Sequence, residues 1–175
     1  MPVQAGAGLS PVAGLLHSPT GPSLDFDLTP SRIASIFAQA KTEYSAALDR
    51  VAASPMAAAP ASERTFANTV AALDGAQARF MESVNTASFL FSVSPDKAVR
   101  DAARKLDEES DSFLIETSQR EDVYRAVREY ADKGELLSGE DKRLLDATLR
   151  SYAREGMGLP AARRARGREV QQRLS

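Results

Sequence analysis

Histidine and cysteine, the side chains that most often carry nucleophilic and zinc chemistry, are nearly absent from this sequence. Its 175 residues contain one histidine, His17, and no cysteine. A Ser-His-Asp or Cys-His arrangement needs a histidine held beside its nucleophile, whereas His17 lies in a stretch rich in glycine and proline. Zinc hydrolysis on a helix uses an H-E-x-x-H pair, which a single histidine cannot provide. The sequence therefore predicts no catalytic, cofactor-binding or metal-binding residues.

Carboxylates are the remaining candidates for a metal site. The densest acidic cluster comprises Asp107, Glu108, Glu109 and Asp111. Successive residues on a helix point in different directions, so these four side chains cannot converge on one ion. A di-metal bundle would also need Glu-x-x-His motifs, which the sequence lacks. We interpret the cluster as a solvated helix face, and Asp122 as a surface residue or an ion-pair partner of Arg120.

The C-terminal end of the sequence is basic. From Arg150 onward there are seven arginines against two glutamates, and four of the arginines lie between residues 163 and 168. Such a patch could bind RNA or an acidic partner. No aromatic residue follows Tyr152, so a platform for stacking bases is missing, and the net charge of the whole chain is −2. These observations favour packing of a basic helix over nucleic-acid binding.

Composition indicates one soluble domain behind a leader. Residues 1–28 are rich in Gly, Pro, Ala and Ser, a composition that cannot bury enough surface to offset ordering, so we predict a disordered leader. Residues 29–175 form the predicted helical domain. No apolar run approaches the ~20 residues that cross a bilayer, so no membrane partner is expected. The leader has no positively charged start and the chain has no cysteine, which together favour a cytoplasmic location.

Apolar residues recur at spacings of three and four throughout the predicted domain, which indicates amphipathic helices. A first helix follows the cap-proline pair Thr29-Pro30, and a second runs from about residue 68 to 84, with residues 89–91 as an apolar connector. Ser94 with Pro95 starts a third helix, which a fourth segment ending at Gly134 can continue. A helix restarts at Ser138, with Asp141 at the position where a capping box would place Glu, and Pro160 opens a basic helix.

No alternating strand pattern of useful length occurs in the sequence. The predicted fold class is therefore all-α, a bundle of about five to six mostly antiparallel helices joined by short loops. Tyr124, Tyr130 and Tyr152 lie at helical spacing from neighbouring apolar residues. We interpret all three as packing residues.

Four segments, in order, resemble the thimet oligopeptidase and neurolysin family of zinc metallopeptidases. Residues 65–69 (TFANT) resemble the T-[FY]-x-N-T entry to an early helix of that family, and residues 94–102 (SPDKAVRDA) resemble its S-x-D-K-x-V-R-x-A segment. Residues 113–124 are similar to its F-x-I-E-x-S-x-R-x-D-[VL]-[YF] stretch, and residues 156–160 to its G-x-x-L-P turn. The ordered series covers roughly residues 30–175.

The resemblance implies a non-catalytic role for this chain. In that family the N-terminal helices form one wall of a channel that admits short peptides, and the zinc site lies in a later helical region. We therefore expect the N-terminal helical part of a metalloendopeptidase that is inactive by itself, with zinc only in the missing catalytic domain. Expected partners are the missing catalytic half or short peptides. The alternative is a stand-alone helical module that binds peptides or proteins.

Overall fold

The computed structural model describes residues 26–53 and 64–159, and in these ranges the chain forms five α-helices and no β-strand. In chain order the helices are α1 (Pro30–Ala52), α2 (Val70–Val93), α3 (Lys97–Ser118), α4 (Glu121–Asp132) and α5 (Gly139–Arg154). The all-α prediction is confirmed.

The first helix begins where the sequence predicts. The hydroxyl of Thr29 accepts a hydrogen bond from the backbone N–H of Arg32 at 3.3 Å, and Pro30 occupies the first helical position, where its missing N–H costs nothing. The buried residues of α1 follow the predicted apolar stripe: Ile33, Phe37, Ala40, Tyr44, Ala47, Leu48 and Val51. Burial of this one face against α2 and α3 is what stabilises the helix.

Ring contacts define the directions of the first three helices. Tyr44 on α1 meets Phe80 on α2 with 5.3 Å between ring centroids, and Phe26, just before α1, meets Phe89 at 6.4 Å, so α1 and α2 are antiparallel. Phe113 on α3 contacts Phe80 at 5.5 Å and Tyr44 at 5.9 Å. A hydrogen bond of 2.8 Å from Ser88 to Asp107 gives α2 and α3 antiparallel directions as well. The first and third helices are consequently parallel.

The last two helices extend the bundle. Helix α4 packs at the C-terminal end of α1, and Arg120, just before it, bonds to Asp49 at 2.6 Å. Helix α5 contacts α4 through Tyr124 and Tyr152, whose ring centroids are 5.3 Å apart. It also packs against the N-terminal half of α2, where Leu73 is part of the same apolar cluster as Tyr152. Only Tyr152 is buried on α5, so this helix lies at the edge of the bundle.

Two helix boundaries differ from the sequence-based prediction. Residues 89–91 belong to α2 and do not form a connector, because no glycine or proline occurs between residues 85 and 93 to end the helix. The cap of α3 is Asp96, whose carboxylate accepts from the N–H of Ala98 at 2.7 Å. Pro95 therefore stands before the helix instead of inside its first turn.

Two further predictions concern helix starts in the second half of the chain. The segments on either side of Gln119 are separate helices, because Arg120 takes an extended ψ of 111° that interrupts the α-helical path. Ser138 makes no side-chain cap bond, so the predicted capping box is wrong. The following residue, Gly139, has a φ of +58°, which lies outside the helical geometry that a capping box needs at that position.

Several predicted features fall on residues that the structure does not describe. They are His17 and most of the leader, the loop at residues 54–63, and the basic helix after residue 159. Leu28, two residues before Pro30, lies in the described range and is buried in the core. In the described part of the chain, every helix is too short or too polar to span a bilayer.

Candidate functional site

The first of the resembling segments, residues 65–69, forms the turn that enters α2. The backbone N–H of Thr65 donates to Asn68 Oδ1 at 2.9 Å, and the N–H of Asn68 donates to Thr65 Oγ1 at 3.2 Å. The fully buried Thr69 donates from its hydroxyl to Asn68 Oδ1 at 2.9 Å. These bonds pair the polar groups of the turn that precedes α2, whose N-cap residue Thr69 makes no side-chain cap bond. The segment therefore positions α2.

The second segment, residues 94–102, fixes the turn between α2 and α3. Asp96 caps α3, and its negative charge suits the positive end of the helix dipole. Arg100 Nη1 donates to the carbonyl oxygens of Ser94 at 2.7 Å and Pro95 at 2.8 Å. Asp96 and Arg100 thus bind neighbouring backbone at the corner between the two helices, whereas Lys97 pairs with Asp101 at 2.6 Å.

The third segment, residues 113–124, contains the ion pair that the sequence predicted. Arg120 Nε donates to Asp122 Oδ1 at 3.0 Å, and Arg120 Nη1 donates to Asp49 Oδ1 at 2.6 Å. The hydrogen bonds from Arg120 hold the pKa of Asp122 below its usual range and raise the pKa of Arg120 itself. The pairing of Arg120 with Asp122 is confirmed, whereas the bond to Asp49 is a contact that the sequence did not indicate.

A buried arginine that sequence analysis did not single out joins α1 to α4. Arg64 Nε donates to Glu129 Oε2 at 2.8 Å, and Arg64 Nη1 donates to the carbonyl oxygen of Val51 at 2.8 Å. Lys133 Nζ donates to the carbonyl oxygen of Arg64 at 2.6 Å. The side chain of Arg64 is only 9% exposed. This arginine therefore satisfies the C-terminal end of α1 and has a structural role.

The acidic cluster on α3 lies on the surface, in agreement with its interpretation as a solvated helix face. Asp107, Glu108, Glu109 and Asp111 are all exposed. Asp107 accepts from the hydroxyl of Ser88, and Glu109 lies 3.8 Å from Lys105. Within residues 26–53 and 64–159, no group of three His, Asp or Glu side chains could hold a metal ion.

A cleft of about 340 Å³ between α5 and the first three helices is the candidate binding site. It is lined by Tyr44, Leu73, Asp74, Gln77, Leu114, Ser118, Ala147, Thr148, Ser151, Tyr152 and Glu155. Apolar and aromatic side chains form its walls, and hydroxyl, amide and carboxylate groups project among them. Pockets of this size and composition are typical of ligand sites in proteins.

The two tyrosines of the cleft are neutral hydrogen-bonding groups. Burial raises the pKa of Tyr44 and of Tyr152, and the nearby negative charge of Glu155 adds to both increases. Both phenols therefore keep their protons well above neutral pH. Sequence analysis interpreted Tyr152 as a packing residue, but it could not show that this residue faces Tyr44 across an open cleft.

One carboxylate of the cleft lies in an electrostatically unfavourable position. Glu155 is the C-cap residue of α5, where the helix dipole presents partial negative charge. Its Oε1 accepts from the hydroxyl of Ser151 at 3.2 Å. Its Oε2 is shielded from solvent and receives no hydrogen bond from the described residues. At the edge of the cleft, Glu155 thus combines a shielded oxygen that receives no hydrogen bond from the described residues with a position at the negative end of α5.

Part of the sequence is similar to peptidases of a known class. The chain is 33% identical over 124 residues to a "Thimet-like oligopeptidase" of Dictyostelium discoideum, a match that covers 66% of this chain and 18% of the relative. It is 32% identical over 100 residues to a "Probable thimet oligopeptidase" of Arabidopsis thaliana, which covers 57% of this chain and 14% of the relative. No family model matches the chain.

These matches relate the chain to the thimet-like oligopeptidases. The matched segment accounts for less than a fifth of the length of each curated relative. The resemblance seen in the sequence is thereby confirmed at the level of the family relation. In this structure, two of the polar residues that carry the resemblance have structural roles: Asp96 caps α3 and Arg120 pairs with Asp122.

Proposed function

We propose that this chain is the non-catalytic N-terminal helical part of a zinc-dependent oligopeptidase, and that it forms a wall of the channel that holds short peptides. The observation that carries the proposal is its similarity to two relatives named as oligopeptidases over less than a fifth of their length. With one histidine in this sequence, the paired imidazoles of a zinc site would come from the catalytic domain. A cytoplasmic location, compatible with the lack of cysteine, belongs to the same proposal.

Uncovered apolar side chains support a missing partner domain. Six large hydrophobic residues are exposed by more than a third in the described part of the chain: Phe26 (49%), Met81 (38%), Phe89 (54%), Val93 (49%), Leu136 (100%) and Leu159 (44%). Exposed apolar patches mark surfaces that bind partners. The half-covered stripe of α5 is a second surface of this kind, since only one of its residues is buried.

The proposal that this chain is non-catalytic is tested by assaying the full chain on a quenched-fluorescent peptide with added zinc, and again with a metal chelator. We expect no cleavage that the chelator abolishes. Chelator-sensitive cleavage that stays with the chain through successive purification steps would show a complete active site and contradict the proposal.

The alternative function is a stand-alone module that binds peptides or proteins. The observation that favours it is the continuous core formed by the first four helices, which includes Ile33, Leu48, Phe80, Leu106 and Val123. Such a core is expected to support folding without a second domain. The test is thermal unfolding combined with a peptide titration. Cooperative unfolding with saturable binding supports the module, whereas aggregation without a cooperative transition removes it.

A further inference from the structure

The lining of the cleft between α5 and the first three helices carries an excess of negative charge. Its lining includes two carboxylates, those of Asp74 and Glu155, and no lysine or arginine among the described residues. The positive charge of Arg120 reaches the cleft, because it lowers the pKa of Tyr152, which burial raises. The guanidinium of Arg120 already forms ion pairs with Asp49 and with the carboxylate two positions after Arg120. The cleft therefore attracts positive charge.

The position of Glu155 is a second, independent reason to expect a bound cation in the cleft. The C-terminal end of a helix stabilises cations and destabilises anions, yet Glu155 stands at the C-cap of α5. Its shielded Oε2 has no donor among the described residues, and an unpaired buried oxygen costs free energy. A cation in the cleft would compensate both effects, because it would lie near the helix end and would donate to the carboxylate.

The walls of the cleft define the shape of that cation. Leu73, Leu114 and the rings of Tyr44 and Tyr152 can pack along a methylene chain, and aromatic faces attract ammonium and guanidinium groups. A volume of about 340 Å³ accommodates one long side chain together with a short piece of backbone. A small inorganic cation would leave these apolar walls without contacts.

We infer that the cleft binds the side chain of a lysine or arginine in a short peptide, with Glu155 as the principal acceptor. The carboxyl group of Glu155 turns toward the cleft on binding, and its shielded oxygen receives a donor that no described residue supplies. The acidic side chain of Asp74 is exposed at the mouth of the cleft and attracts the same cation. This inference rests on the proposed function, because it names the chemistry of the peptide that such a wall would hold.

The experiment is a fluorescence-anisotropy titration of the full chain with two labelled peptides. Both are acetylated and amidated pentapeptides of alanine and leucine, one with a central arginine and one with citrulline, its neutral isostere. We expect the arginine peptide to bind roughly tenfold to a hundredfold more tightly, the range that hydrogen bonds to charged groups produce. Blocking both termini excludes the peptide amino group as the cation.

The matched variants are Glu155→Gln in the cleft and Glu108→Gln on the exposed face of α3. We expect Glu155→Gln to abolish the preference for arginine over citrulline and to leave the affinity for the citrulline peptide unchanged. Glu108→Gln should keep the full preference. Because no described residue donates to Oε2 of Glu155 and the carboxylate lies at the negative end of α5, Glu155→Gln should leave the melting temperature unchanged or raise it.

The outcomes separate this inference from the function on which it rests. Equal binding of the two peptides by the wild-type chain, or a preference that survives Glu155→Gln, overturns the cation site and leaves peptide binding in place. Binding of neither peptide overturns both the cation site and the peptide-binding wall. A drop in melting temperature for Glu155→Gln with an unchanged preference would assign Glu155 a structural role and overturn the inference.

Discussion

Arg120 and Asp49 lie 71 positions apart in the sequence and form a hydrogen-bonded ion pair of 2.6 Å. The pair joins the C-terminal end of α1 to the start of α4, at the point where the chain leaves α3. Arg120 also binds Asp122 through a second edge of its guanidinium. The third of the four segments that resemble the oligopeptidase family therefore acts as a joint between helices.

The first prediction concerns acid stability. Because Arg120 lowers the pKa of Asp122 in the folded chain, the unfolded chain binds a proton at Asp122 first as the pH falls. The stabilisation is therefore complete above about pH 4, the ordinary range of an aspartate, and is lost as the pH falls through the lower folded pKa. The free energy of unfolding of wild type minus that of Asp122→Asn should shrink with acidification. The matched control is Asp111→Asn, which removes a carboxylate from an exposed face of α3.

The second prediction concerns the buried arginine at the end of α1. Arg64→Ala leaves the carbonyl oxygen of Val51 and the carboxylate of Glu129 without their donor, which should lower the free energy of unfolding by about 1–3 kcal/mol. The control is Arg128→Ala, which removes an exposed ion pair with Asp132 and should cost under about 1 kcal/mol. Urea denaturation of both variants gives the comparison. Equal effects would contradict the assigned role.

The third prediction concerns the core. Phe37 is 6% exposed and Leu106 is 2% exposed, and both belong to the main apolar cluster. If the first four helices form a self-sufficient core, Phe37→Ala and Leu106→Ala should each lower the free energy of unfolding by ~2–5 kcal/mol. Leu136→Ala removes a fully exposed leucine and should change it by no more than about 0.5 kcal/mol. Small effects at all three positions would show that the bundle needs another domain to pack.

The fourth prediction concerns alkaline pH. Burial, together with the nearby Glu135 carboxylate, raises the pKa of Tyr130 to about 12. An unfolded tyrosine loses its proton near pH 10, so between about pH 10 and 12 the unfolded chain releases a proton that the folded chain retains. Stability should therefore fall as the pH rises through that window. Unfolding curves of Tyr130→Phe should show a smaller fall than wild type; identical slopes would contradict the assignment.

The helices could be read from the sequence because their signals are local. The cap at Thr29, the stripe from Ile33 to Val51 and the glycine after α4 depend on residues within a few turns of each other, and all three are confirmed. Gly134 has a φ of +68°, the left-handed conformation that ends a helix. The end of α2 was placed too early because an apolar run such as residues 89–91 fits a buried helix and a connector equally well.

The candidate cleft could not be predicted from local sequence signals. Its walls come from four helices, and the approach of Tyr152 to Tyr44 depends on how α5 lies against the bundle. The ion pair of Arg64 could not be predicted from local sequence for the same reason, because its partner Glu129 is 65 positions away. The sequence did contain one indirect signal, the unfavourable Glu155 beside Gly156 at the end of a helix. Such a local conflict becomes informative only when the opposing surface is known.

The central claim is that this chain supplies the helical wall of an oligopeptidase and leaves catalysis to another domain. Its most direct test is a chimera of the Dictyostelium discoideum thimet-like oligopeptidase in which the matched 124-residue segment is replaced by the corresponding part of this chain. We predict that the chimera cleaves a quenched-fluorescent peptide and that a chelator abolishes the cleavage. A chimera that unfolds cooperatively and retains its zinc, yet cleaves no peptide, would contradict the claim.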